Sequence, residues 1–176
     1  GSGITGSIQA AVNAALPGDT IRVRSGTYAE SIAVATDDLT LIAEGPVEVT
    51  GAPGGTHGFR IDGNRVELRG FTVGGIRGHA FPSDHAATGF VLSASETRLI
   101  DCVGHGNGFY GFLVLPDARD ALIEGGSAYD NSAGGVGVAG GRNTTIRGMT
   151  FYSTGEDGGP DGSFQPTAII TENWGD

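Results

Sequence analysis

Cysteine, proline and positive charge are all scarce in this 176-residue sequence, and each scarcity removes a class of protein. The single cysteine, Cys102, forbids an internal disulfide, so packing alone must hold the chain together. Only 7 prolines accompany 33 glycines, and no Gly-X-Y period runs through them, which excludes a collagen helix. Lys and Arg total 10 against 20 Asp and Glu, a formal net charge of −10. That balance argues against nucleic acid and anionic membrane as partners, since both are met by basic surface. It also opposes a polyanionic substrate unless metal ions or a local basic patch bridge the repulsion. No apolar run approaches the roughly 18 residues of a membrane-spanning helix.

What is present is a repeat. Thr97-Arg-Leu-Ile-Asp-Cys-Val-Gly-His-Gly-Asn107 is followed by Ala121-Leu-Ile-Glu-Gly-Gly-Ser-Ala-Tyr-Asp-Asn131, then by Thr144-Thr-Ile-Arg-Gly-Met-Thr-Phe-Tyr152. Leu99, Ile123 and Ile146 hold equivalent places 24 and 23 residues apart, and Leu68 precedes Leu99 by 31. Short alternating strands at a period in the low twenties mark a solenoid. The glycines are then turn punctuation. A second series runs Gly58-Phe-Arg-Ile-Asp62, Gly89-Phe-Val-Leu-Ser93, Gly111-Phe-Leu-Val-Leu115 and Gly135-Val-Gly-Val-Ala139, with Thr167-Ala-Ile-Ile-Thr171 as a looser fifth member. Alternation puts Phe59, Phe90, Phe112 and Val136 inside with Ile61, Leu92, Val114 and Val138. Outside stand Arg60 and Asp62, Val91 and Ser93, Leu113 and Leu115, Gly137 and Ala139. The outward apolar patch is either covered, by a subunit, tail or loop, or is the floor of a ligand site.

One helix is expected, over 7–16. Ser7 suits the N-cap, Ile8, Ala11, Val12, Ala15 and Leu16 form one apolar stripe, and Pro17-Gly18-Asp19 stops it. Ahead of a solenoid such a helix caps the open first coil. The expectation is a single all-β domain over 1–176, with insertions at 74–88 and 153–166 interrupting its coils. Insertions of this kind are where function is most often housed.

These features together resemble the right-handed parallel β-helix of the pectate-lyase-like superfamily. The residues carrying the likeness are Ser7-Ile-Gln-Ala-Ala-Val12, Pro17-Gly-Asp-Thr-Ile21, Ser25-Gly-Thr-Tyr28 and the repeated coils. About six coils are expected. Within the superfamily the chain is similar to the catalytic modules of mannuronan C5-epimerases and to parallel β-helix repeat proteins. Those epimerases carry Tyr-Gly-Phe-Asp-Pro-His on one strand. Here Tyr110 matches the tyrosine, while Leu113 stands in the place of the aspartate and Leu115 in that of the histidine. The resemblance implies a secreted or extracellular carbohydrate-active protein, with a polysaccharide or oligosaccharide as partner.

Candidate chemistry gathers in three groups. His57, Arg60, Asp62, His79, Asp84, His85 and Tyr110 surround the second strand series. A histidine with a tyrosine can remove and return a sugar-ring proton while an arginine neutralises a uronate carboxylate. Tyr110, His85, Arg60 and Asp62 are the catalytic candidates, and His57, His79, Asp84, Leu113 and Leu115 the substrate-binding ones. The plain alternative is a set of solvated loop residues. His79 and His85 lie six apart, unlike a helical zinc motif. In the second group, Glu156, Asp157 and Asp161 lie in a glycine-rich loop whose oxygens suit calcium, although no calcium-loop spacing is matched and a solvated acidic loop is the plainer reading. The third group, Asp101, His105, Asn107, Asp130 and Asn131, reads as turn residues that bond backbone and stack between coils. Cys102, at an inward position, reads as an inert thiol. Asn143-Thr144-Thr145 is formally a glycosylation acceptor. Beside the carbohydrate reading stands another: a non-catalytic module that forms a homo-oligomer through its apolar face or its last coil.

Overall fold

The computed structural model describes residues 6–77, 87–152 and 169–172. The chain opens with helix α1 (Ile8–Ala14), followed by β1 (Thr20–Tyr28), β2 (Ile32–Val34), β3 (Thr40–Val49), β4 (His57–Ile61), β5 (Glu67–Gly74) and β6 (Thr88–Leu92). Then come β7 (Arg98–Ile100), β8 (Val103–His105), β9 (Tyr110–Val114), β10 (Leu122–Glu124), β11 (Ser127–Tyr129), β12 (Gly134–Ala139), β13 (Thr145–Arg147), β14 (Thr150–Tyr152) and β15 (Ile169–Glu172). Every strand pairing is parallel. One sheet has nine strands; the other has six, in the order β15-β12-β9-β6-β4-β2. Parallel neighbours that recur once per repeat make a β-helix. It completes about five turns, slightly fewer than the sequence suggested, because six strand levels enclose five intervals.

The inward positions stack in register. Leu41, Leu68, Leu99, Ile123 and Ile146 align across the first sheet. Phe59, Phe90 and Phe112 align across the second, with Val136 and Ile169 continuing the column. The three phenylalanines are fully buried. Phe59 and Phe90 stack at 5.7 Å, and Phe90 and Phe112 at 4.9 Å, all within 5° of parallel. The strand register read from the sequence holds from β4 to β12. At β15 it slips: Val136 pairs with Ile169 rather than Ala168. Residues 153–168 stand between β14 and β15, more than the usual interval, so spacing alone could not set its phase.

Each turn has three corners, and each corner is a column of residues with positive φ. Gly45, Gly70, Asp101, Gly125 and Gly148 mark the first, and Gly51, Gly75, Gly106 and Asp130 the second. Asp38, Arg65, Glu96, Asp120 and Asn143 mark the third, with φ between 55° and 59° and no glycine among them. Backbone bonds between coils hold this column, among them Arg65 N–H to Ser95 O at 3.0 Å and Glu96 N–H to Arg119 O at 2.7 Å. Those bonds oppose the ordinary cost of a left-handed side-chain residue.

Ser7 caps α1 as expected, its hydroxyl accepting from Ala10 N–H at 3.2 Å. Glu30 adds to the cap by accepting from Ile8 and Gln9 N–H. Ile8 and Val12 join the core and close its first level. The helix ends at Ala14, earlier than the sequence stripe implied, and Leu16 is 69% exposed. Leu16 N–H bonds the Asp19 carboxylate instead of continuing the helix. Among the described residues no helix is long and apolar enough to cross a membrane.

Candidate functional site

The six-stranded sheet presents its outward side chains in three columns. His57, Thr88 and Tyr110 share the first. Arg60, Val91, Leu113 and Gly137 share the second. Asp62, Ser93, Leu115 and Ala139 follow two residues on.

Charge collects at the early end of this face. Arg60 Nε donates to both oxygens of Asp62, at 3.0 and 3.1 Å, and the two side chains are 42% and 37% exposed. Ser93 Oγ lies against Asp62 Oδ1 and 3.0 Å from Ile61 O, two acceptors competing for one hydroxyl proton. His57 is half-buried, its Nδ1 3.1 Å from Thr56 Oγ1. Burial pushes the His57 pKa below its ordinary value, the Arg60 charge pushes it further, and Asp62 opposes both. Both effects favour the neutral imidazole, the form able to accept a proton.

The middle of the face is closed. Tyr110 is buried, and Phe109 meets its ring edge-on at 4.3 Å. A Cβ at Gly137 would fall 2.9 Å from Tyr110 Cε2 and 3.0 Å from Leu113 Cδ1, so the missing side chain makes room for both. Val91, Tyr110, Leu113, Leu115, Ala133 and Ala139 form their own buried cluster, with Leu113 only 2% exposed. The outward leucines are thus covered within the single chain. They offer neither an open ligand floor nor an open assembly face. Thr88, between His57 and Tyr110, is also fully buried, and its hydroxyl has no hydrogen-bond partner among the described residues.

The structure brings together His57, Arg60 and Asp62 and adds Ser93. Nothing but position marked Ser93 in the sequence: it follows Asp62 by 31 residues, the interval separating Leu68 from Leu99. Tyr110 shares the His57 column two coils on. His79, Asp84 and His85, and the calcium candidates Glu156, Asp157 and Asp161, lie outside the described residues. Among the described residues no group of three or more His, Cys, Asp or Glu could hold a metal ion. Cys102 is buried, and its burial pushes the thiol pKa up to about 12, so it is no nucleophile. Asn107 and Asn131 are structural, as their turn positions suggested: Asn131 Oδ1 accepts from both Asn107 N–H and Asn107 Nδ2.

No family model matches the sequence, and no curated protein matches it. Among solved structures, the chain is similar to the crystal structure of alginate lyase from Paenibacillus sp. str. FPU-7. The match has a TM-score of 0.62 at 17% identity and covers 94% of this chain and 72% of that one. The fold the two share is a parallel β-helix. At that identity the likeness is one of architecture. In the β-helix of this chain, the face carrying His57 and Arg60 is a long lateral surface parallel to the stack.

Proposed function

We propose that the chain recognises an acidic polysaccharide on the outward face of its six-stranded sheet. There it would process the polymer by proton abstraction beside a uronate carboxylate, as a lyase or an epimerase does. The observation that carries this reading is a half-buried histidine, His57, on the same strand as an exposed arginine, Arg60, on the flank of a fold shared with an alginate lyase. The chain contains no lysine, which leaves histidine and tyrosine as its bases of near-neutral or higher pKa.

A uronate carboxylate displaces Asp62 from Arg60, whose guanidinium neutralises it and so acidifies the adjacent C5 proton. His57 takes that proton. In a lyase the C5 electron pair then forms the C4–C5 double bond as the C4–oxygen bond breaks, and an acid protonates the leaving oxygen. In an epimerase the proton returns from the opposite face. Tyr110 and His85 are the candidates for that second proton transfer, and Tyr110 must leave its present cover to act. Calcium held through Glu156, Asp157 and Asp161 would offset repulsion between polymer and protein. Secretion belongs to the same proposal, since such polymers lie outside cells.

A second reading draws on the Arg60–Asp62 pair and the buried Tyr110, both of which describe a resting face. In this reading the β-helix is a non-catalytic binding or assembly module. One assay separates the two. Alginate, pectate and glycosaminoglycans are incubated with and without calcium, following ultraviolet absorbance of unsaturated product and, in heavy water, exchange at C5. Turnover that disappears in Arg60→Gln and in His57→Gln supports the enzyme. No turnover and no exchange on any polyuronate removes it, and light scattering then tests assembly.

A further inference from the structure

The nine-stranded sheet carries an external column that the proposed site does not use. His105, Tyr129 and Tyr152 occupy one register position on β8, β11 and β14. Their rings stack: His105 on Tyr129 at 4.9 Å and 5° from parallel, Tyr129 on Tyr152 at 4.6 Å and 6°. One coil earlier the position is Gly74, where any Cβ would collide with the His105 ring. The column is therefore closed at the Gly74 end. At the other end Tyr152 is 51% exposed, and no further ring follows it among the described residues.

An exposed tyrosine on its own is ordinary. This one has a neighbour's ring against one face, so its orientation is set before any ligand arrives. Preorganised aromatic area binds without the usual ordering cost. The column's flank is polar. His105 Nε2 stands 3.6 Å from Glu48 Oε1, and Asp130 follows Tyr129 in the chain. Burial raises the Tyr129 pKa, with further contributions from Tyr152, Asp130 and Glu48, so its phenol stays protonated as a donor. The charged side chains named around the two tyrosines are carboxylates, which disfavours an anionic ligand.

We propose that Tyr152, backed by Tyr129 and His105, is a stacking platform for the pyranose ring of an uncharged saccharide, on a different sheet from the His57–Arg60 face. A pyranose offers an apolar face of C–H bonds to the tyrosine ring and equatorial hydroxyls to the phenols and carboxylates beside it. The site needs no catalysis and stands independently of the polyuronate reading.

The test is titration of the whole chain with neutral β-linked gluco- and manno-oligosaccharides, and separately with alginate oligosaccharides. Binding is read by calorimetry and by the tyrosine NMR signals. The expected result is millimolar binding of a neutral oligosaccharide, weakened at least tenfold in Tyr152→Ala and kept in Tyr152→Trp, with Arg60→Gln unchanged. Tyr152 is a half-exposed edge residue, and matching circular dichroism would show that the alanine variant folds. Failure of every neutral oligosaccharide to bind overturns the proposal, as does binding that Tyr152→Ala leaves intact. Binding of alginate alone that Arg60→Gln abolishes would overturn it too while supporting the lateral-face reading.

Discussion

Asn131 sits one coil above Asn107, and one of its oxygens serves two groups of the residue below: the Asn107 N–H at 3.1 Å and the Asn107 side-chain amide at 2.9 Å. Its own amide donates to Gly104 O at 2.9 Å, and Asn107 Oδ1 accepts from Ile76 N–H at 3.1 Å. Both asparagines are 1% exposed. Asn131→Ala would strand three buried polar groups, each costing about 1–3 kcal/mol when left unpaired. The urea midpoint should fall with little change in slope. A midpoint equal to wild type would show that water replaces the ladder at no cost.

The covered face makes an opposite forecast from the one an open face would make. An outward leucine in water tolerates a carboxylate, but Leu113 is packed among Val91, Tyr110 and Leu115. Leu113→Asp must bury an unpaired acid or expel it, and should destabilise by several kcal/mol. Phe112→Ala, on the core side, should cost about 3–5 kcal/mol as large-to-small core changes do. Similar losses in the two variants, measured by chemical denaturation, are the expected result. A neutral Leu113→Asp would mean that the face opens in solution.

His57 gives a signed dependence on pH. Its folded pKa lies below the unfolded value of 6.5. Between those two values the unfolded chain binds more protons, so stability rises with pH through the window and is lost as pH falls through it. Its NMR titration should show a midpoint below 6.5, moving upward in Arg60→Gln as one cause of the depression is removed. If His57 is the base, the acid limb of the rate profile should carry the same midpoint. A midpoint above 6.5 would show that Asp62 outweighs burial and the Arg60 charge, overturning the lowered pKa.

Cys102 should be silent in the native protein. Its thiol is buried against Leu68 O and Ile100 O, and its pKa is pushed up to about 12. A thiol reagent should therefore react negligibly at neutral pH and take up one equivalent in denaturant. Rapid native labelling would show that the corner beside Cys102 opens.

The ladder of Leu68, Leu99, Ile123 and Ile146 was legible because inward residues must be apolar at every level, which writes the coil period into the sequence. The face of the second sheet was legible for the same reason, down to the pairing of Arg60 with Val91. The cover over Leu113 was not, since alternation says which way a side chain points and nothing of what lies on it. The end of α1 was misread because Leu16 continues the stripe by spacing, whereas Asp19 captures its N–H. His105, Tyr129 and Tyr152 stand 24 and 23 residues apart, the same steps as Leu99, Ile123 and Ile146. That signal was present, but a polar ring at a turn looks like solvent until its neighbours are known to be rings as well.

The three corner columns have a consequence for length. From β3 onward each described corner is turned by at least one left-handed residue, and the backbone bonds there run between adjacent levels. A partial deletion within a level would turn inward residues out and bring a corner under a strand. Removal of one whole level would leave the remaining neighbours able to meet. The chain is thus a ruler graduated in coils: its length along the stack can grow or shrink only in steps of ~4.8 Å, the strand spacing itself.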